Sequence, residues 1–105
     1  MRWMIVAVLL SPAAALATSE SAAKERAVAL CREQKKNADP GEWEQGPCIS
    51  NGQGELADWV VDVAHSPRQP VDDQPSNQCS AFAEGRIKKF VELDTKCKVI
   101  RTHSN

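Results

Sequence analysis

Four cysteines, Cys31, Cys48, Cys79 and Cys97, restrict this chain more than any other feature. An even number in a small exported domain reads as two disulfides, each contributing ~2 to 4 kcal/mol by limiting the unfolded chain. None lies within about four residues of another, the short spacing of a structural zinc knuckle, and no thioredoxin-like pair exists. The cysteines therefore call for staples, with no metal and no cofactor.

The start of the chain supplies the oxidising compartment that disulfides need. Arg2 is followed by an apolar run from Trp3 to Leu10, by Pro12, and by the small residues Ala15 and Ala17 around Leu16. This order reads as a secretory signal over 1–17, cleaved before Thr18. From Trp3 to Ala17 the segment is shorter than the ~20 residues of a spanning helix, and no cysteine follows the cleavage point to take a lipid. The expected organisation is a leader over 1–17 and one domain over 18–105, secreted or periplasmic and without a stable membrane anchor. Cleavage removes Arg2 and no acid from the 13 basic and 14 acidic residues, so the mature domain carries a net charge of −2. Such a balance gives no reason to expect nucleic acid as a partner.

Helix formers without Gly or Pro run from Ser21 to Asn37, with Ser19 or Ser21 as the cap. Ala23, Ala27, Leu30 and Cys31 make a narrow apolar stripe with Val28 at its margin, so this helix must pack close to what it covers. Asp39, Pro40 and Gly41 end it. Trp43 is the one apolar residue in the polar connector that follows. Pro47 to Asn51 reads as a short strand, residues 51–54 as a turn, and Leu56 to His65 as the longest strand. By the period-two rule Trp59, Val61 and Val63 share one face of that strand, while Asp58, Asp62 and Ala64 take the other. Val60 leaves the second face partly apolar, to be covered by Trp43 or by the loop that follows.

That loop, Ser66 to Gln78, holds Pro67, Pro70 and Pro75, which makes it long and stiff. A structureless connection of this length in a small domain is uncommon unless it has a function. One or two helical turns are expected over Cys79 to Glu84, then strands over Ile87 to Leu93 and Lys96 to Thr102. A single helix followed by four strands argues an α+β domain, the helix laid on a four-stranded antiparallel sheet. Placing Cys48 and Cys97 on opposite outer strands separates them by roughly 14 Å, too far for a bond. Of the three connectivities the sequential one, Cys31 with Cys48 and Cys79 with Cys97, is favoured, although spacing does not fix it.

His65 ends the long strand near Asp58 and Asp62, an arrangement that invites a carboxylate-oriented general base. Asp62 and His65 are three apart, however, and point to opposite faces, and oxidised cysteines offer no nucleophile. The oxygen-rich run Asp72, Asp73, Gln74 and Asn77 lacks the order of a calcium loop, and solvated Asx turns account for it as well. Pro67-Arg68-Gln69-Pro70 is a preformed extended segment of the kind aromatic grooves accept. Arg86, Lys88, Lys89, Lys96, Lys98 and Arg101 are opposed locally only by Glu92 and Asp94, a basic hairpin suited to an acidic glycan or phospholipid, or to guarding a sheet edge.

Gln69-Pro70-Val71-Asp72-Asp73 resembles the Gln-x-Val-x-Gly loop of the cystatins, exported two-disulfide inhibitors with one helix on an antiparallel sheet. The resemblance implies insertion of that loop into a cysteine protease cleft. It covers five residues, Asp73 stands where the family has glycine, the loop follows a later strand, and no Pro-Trp occurs near the end. The reading that the residues favour is an exported, monomeric, non-enzymatic module. It presents Arg68, Gln69, Asp72 and Asp73, beside His65, to a protein or glycan ligand, with Val71 anchoring the loop from inside. A small hydrolase using His65 and a cystatin-like inhibitor are the alternatives.

Overall fold

In a computed structural model of the protein, residues 18–104 are described, so the leader read over 1–17 lies outside them. Helix α1 (Glu20–Asn37) begins where Ser19 Oγ accepts the Ala22 amide at 3.1 Å and carries Lys35 and Lys36 in its last turn, at the negative end of its dipole. Ala23, Ala27 and Cys31 are fully buried on its inner face, which lies against three of the four strands. The small side chains allow that close approach. Asp39 does more than end α1. Its carboxylate caps a second short helix, α2 (Pro40–Trp43), by accepting the Gly41 and Glu42 amides.

Strands β1 (Cys48–Asn51), β2 (Trp59–Val63), β3 (Lys89–Leu93) and β4 (Val99–His103) form one sheet in the order β1-β2-β3-β4. The α+β class and the single long helix agree with the sequence, but the sheet is mixed and not antiparallel. β1 with β2 and β3 with β4 are antiparallel, whereas β2 and β3 run parallel. The reason lies in residues 64–88. Parallel neighbours need a crossover of about a dozen residues or more, and this segment is long enough to return along the sheet. It does so through two 3₁₀ turns, Pro70–Asp73 and Pro75–Asn77, and a last short helix, α3 (Ser80–Ala83).

The sheet is therefore covered on both faces. On one, Trp59, Val61 and Val63 of β2 pack with Val91 and Leu93 of β3 beneath α1. Trp43 closes the end of this core, its indole N–H donating to the Thr95 carbonyl at 2.9 Å. On the other face, Val60 packs with Cys79 and Ala81 of the crossover, with Phe90 and Ile87 at the margin. The crossover, and not Trp43, covers the Val60 face.

The disulfides also depart from the sequential pairing. Cys31 bonds Cys97 and Cys48 bonds Cys79. Cys97 is not in a strand. It sits at φ 66° in the β3–β4 turn, where Asp94 Oδ1 accepts the Lys96 and Lys98 amides. From there it reaches the middle of α1 and fastens helix to sheet. The second bond ties the end of the crossover to β1, so each staple secures one of the two layers.

Candidate functional site

The crossover is locked from within by one carboxylate. Asp72 is 2 % exposed, and it accepts the backbone amides of His65 at 3.0 Å and Gln69 at 2.9 Å. His65 Nδ1 lies 2.9 Å from its other oxygen. Burial alone would raise the Asp72 pKa, but the Gln69 and His65 bonds outweigh it and hold the group below the ordinary carboxylate range. Ionised, Asp72 is an acceptor only, so Nδ1 carries the hydrogen between them. Gln78 and Asn77 close the loop further, donating to the carbonyls of Asp72 at 3.0 Å and Val71 at 2.9 Å.

Asp72 is thus not the exposed tip that its polarity suggested, and it, not the half-buried Val71, anchors the loop. Asp73 and Gln69 remain on the surface. The segment that resembles the cystatin loop, Gln69 to Asp73, is the Pro70–Asp73 turn with Gln69 as its cap, and its Asp72 is directed inward. The residues weighed for calcium do not converge, since Asp72 points inward, Asp73 meets Arg68, and Asn77 bonds Val71.

His65 is drawn between two acids. Its Nδ1 faces Asp72, and its Nε2 lies 3.5 Å from Glu44 of the connector after α2. His103 is elsewhere. It pairs with Phe90 near the start of β3, whereas His65 follows Val63, whose partner Leu93 ends that strand. The two histidines stand at opposite ends of the sheet.

A second cluster, on the face of the sheet that the crossover covers, was not singled out in the sequence. The parallel register sets Asp62 of β2 beside Glu92 of β3. Glu92 is 6 % exposed, and its two oxygens receive Arg68 Nη1 at 2.8 Å and Arg101 Nε at 3.0 Å. Arg68 also donates through Nε to Asp73 at 3.0 Å and, more weakly, to the Asp72 carbonyl at 3.4 Å. One guanidinium so links the crossover surface, its interior and the sheet. Asp62 has no such match. Its Oδ1 is buried without a hydrogen-bond partner among the described residues. Burial, reinforced by Glu92 and opposed by Arg68, pushes its pKa up to about 8, so the carboxyl is mostly protonated at neutral pH.

Between these residues is a cleft of about 70 Å³ lined by Val60, Asp62, Arg68, Gln78, Cys79, Phe82, Phe90, Glu92 and Arg101. Phe82 stands edge-on to Phe90 with ring centroids 5.4 Å apart, and 42 % of it is exposed. Arg101 lies over the Phe90 ring at 5.4 Å, and His103 stacks on the same ring at 5.7 Å. Apolar walls surround a neutral acid at depth, two guanidiniums stand at the rim, and the lining groups include no hydroxyl and no free thiol.

Of the residues read from the sequence, Arg68 reaches this cleft, Asp73 braces Arg68, and His65 and Asp72 hold the crossover in place. Asp62 and Glu92 carried a legible signal, an acid flanked by apolar residues in each of two strands, but their proximity depends on the parallel register. Compared with models of known families, with curated proteins and with solved structures, the chain matches none.

Proposed function

We propose that the protein is an exported, non-enzymatic binding module whose recognition surface is the crossover together with the cleft beneath it. One observation carries this reading. The crossover is fixed by Asp72 and by the Cys48–Cys79 bond, yet it leaves Arg68 and Phe82 at the mouth of a cleft lined by a carboxyl, that of Asp62, with one oxygen unpartnered among the described residues. A segment held this firmly loses little further conformational entropy on binding, which favours affinity.

Two disulfides suit an oxidising compartment, as does the leader sequence, and among the described residues no helix is long and apolar enough to cross a membrane. The histidine geometry supports a structural role for His65 over a catalytic one, because both ring nitrogens already face carboxylates. The ligand is a protein or glycan group small enough to enter the cleft, bound by a monomer.

Amide chemical-shift mapping against a panel of short peptides and oligosaccharides tests the proposal. Perturbations gathered on Arg68, Gln78, Phe82, Phe90 and Arg101 are expected. Turnover of an ester, peptide or glycoside substrate that disappears in His65→Ala, with the fold intact, replaces the module by a hydrolase.

A further inference from the structure

Three carboxylates and two guanidiniums meet where the crossover touches β2, β3 and β4. Glu92 is matched at both oxygens by Arg68 and Arg101, and Asp73 takes the remaining edge of Arg68. Asp62 is left over, with a buried oxygen that no donor reaches. Fully ionised, the cluster is one positive charge short. A proton on Asp62 makes up the difference in the free protein.

The surroundings of Asp62 describe what else fits there. Val60, Cys79, Phe82 and Phe90 give apolar walls, and the cleft has about 70 Å³, half of the ~150 Å³ that holds benzene in an engineered cavity. A head group of a few heavy atoms enters, and a sugar ring does not. An anion would find Glu92 and a carboxyl that ionises against it. A planar guanidinium would compete with Arg101, which already covers the Phe90 face.

We infer that the cleft receives a primary alkylammonium group, which donates to Asp62 and lays its methylene stem against the exposed ring of Phe82. The inference rests on the binding-module reading of the same cleft. Binding is an exchange. The ammonium enters with its charge, the Asp62 carboxyl releases its proton to solvent, and the carboxylate accepts the ammonium N–H. The groups that face Asp62 are Glu92 from β3, Arg68 and Asp72 from the crossover, and Arg101 from β4 through Glu92. β1 and α3 bring no ionisable side chain. Affinity therefore rises about tenfold per pH unit while Asp62 is protonated and levels off near pH 8.

The test is an amide NMR titration of the oxidised protein with n-butylammonium, with butyrate and butanol as matched probes and Asp62→Asn as the variant. Expected are shifts at Asp62, Phe82, Phe90 and Glu92 with n-butylammonium alone, strengthening from about pH 6 to about pH 8, and at least ~tenfold weaker binding in Asp62→Asn. A blocked Gly-Lys-Gly peptide that binds more tightly than n-butylammonium identifies a protein side chain as the ligand, and equal binding identifies a free amine. Butyrate in the cleft without n-butylammonium, or binding independent of pH, overturns the cationic ligand and leaves the module standing. No response of the cleft to any probe overturns both.

Discussion

Asp62 and Glu92 stand side by side on parallel strands, and only Glu92 has its charge answered by arginine. The stability of the fold should therefore fall as Asp62 is forced to ionise. Its folded pKa of about 8 lies above the ordinary 3.8, so the native state holds the proton more tightly than the unfolded chain between those values. Stability on this account declines as pH rises through that window, and the penalty is complete above it.

Asp62→Asn removes the ionisable group and keeps its shape. The variant should melt above wild type at alkaline pH by ~1 kcal/mol or more, about 4–8 °C for a domain of this size, and near wild type at about pH 4. Thermal melts at the two pH values check this. A gain of the same size at both would show that ionisation is not the cause.

Asp72→Ala should have the opposite consequence. It deprives two backbone amides and an imidazole of their acceptor inside the crossover, at a cost of about 2–4 kcal/mol near neutrality. Since the folded pKa of Asp72 is depressed, its contribution is present above the unfolded pKa and is lost as pH falls through the folded one. The gap between variant and wild type should close in acid. Removing His65 alone, which spares the backbone bonds, should cost ~1 kcal/mol.

Gly46 and Gly85 offer a controlled comparison. Both have positive φ, 75° and 77°. A Cβ on Gly46 would lie 2.7 Å from Asp72 Oδ1 and 2.8 Å from the Val63 carbonyl, whereas one on Gly85 meets nothing within 4 Å. Gly85→Ala should cost only the left-handed backbone, ~1–2 kcal/mol. Gly46→Ala should cost clearly more in denaturant unfolding, because it also displaces the Asp72 lock.

Peptide mapping of the oxidised protein should recover Cys31 linked to Cys97 and Cys48 linked to Cys79. Replacing Cys48 and Cys79 together by serine should lower stability by ~2 to 5 kcal/mol and free the crossover, read as faster amide exchange over residues 66–78. Free thiols at native pH would contradict this pairing.

Much of the fold was legible, because local patterns decided it. The alanine stripe of α1 and the alternation of Trp59, Val61 and Val63 mark buried faces wherever their partners come from. The direction of β3 was not legible. Its alternation is the same whether it pairs parallel or antiparallel, and only the path of residues 64–88 chooses. That choice also decides the disulfides, since the returning crossover brings Cys79 to β1 and leaves Cys97 for α1. It decides the site as well. Arg68 could be read as a functional side chain from its place in a stiff loop, but Asp62 and Glu92 become neighbours only in the parallel register. Asp72 misled for a related reason, because its polarity says surface while its three donors hold it inside.

The most direct measurement is the pH titration of the Asp62 side-chain carboxyl, followed by ¹³C NMR in the oxidised protein. A midpoint near 8 is predicted, moving to lower pH when n-butylammonium is added and ionisation gains a partner. A midpoint near the ordinary 3.8, unmoved by the amine, would mean that the crossover does not cover Asp62 and that no cleft of this kind exists.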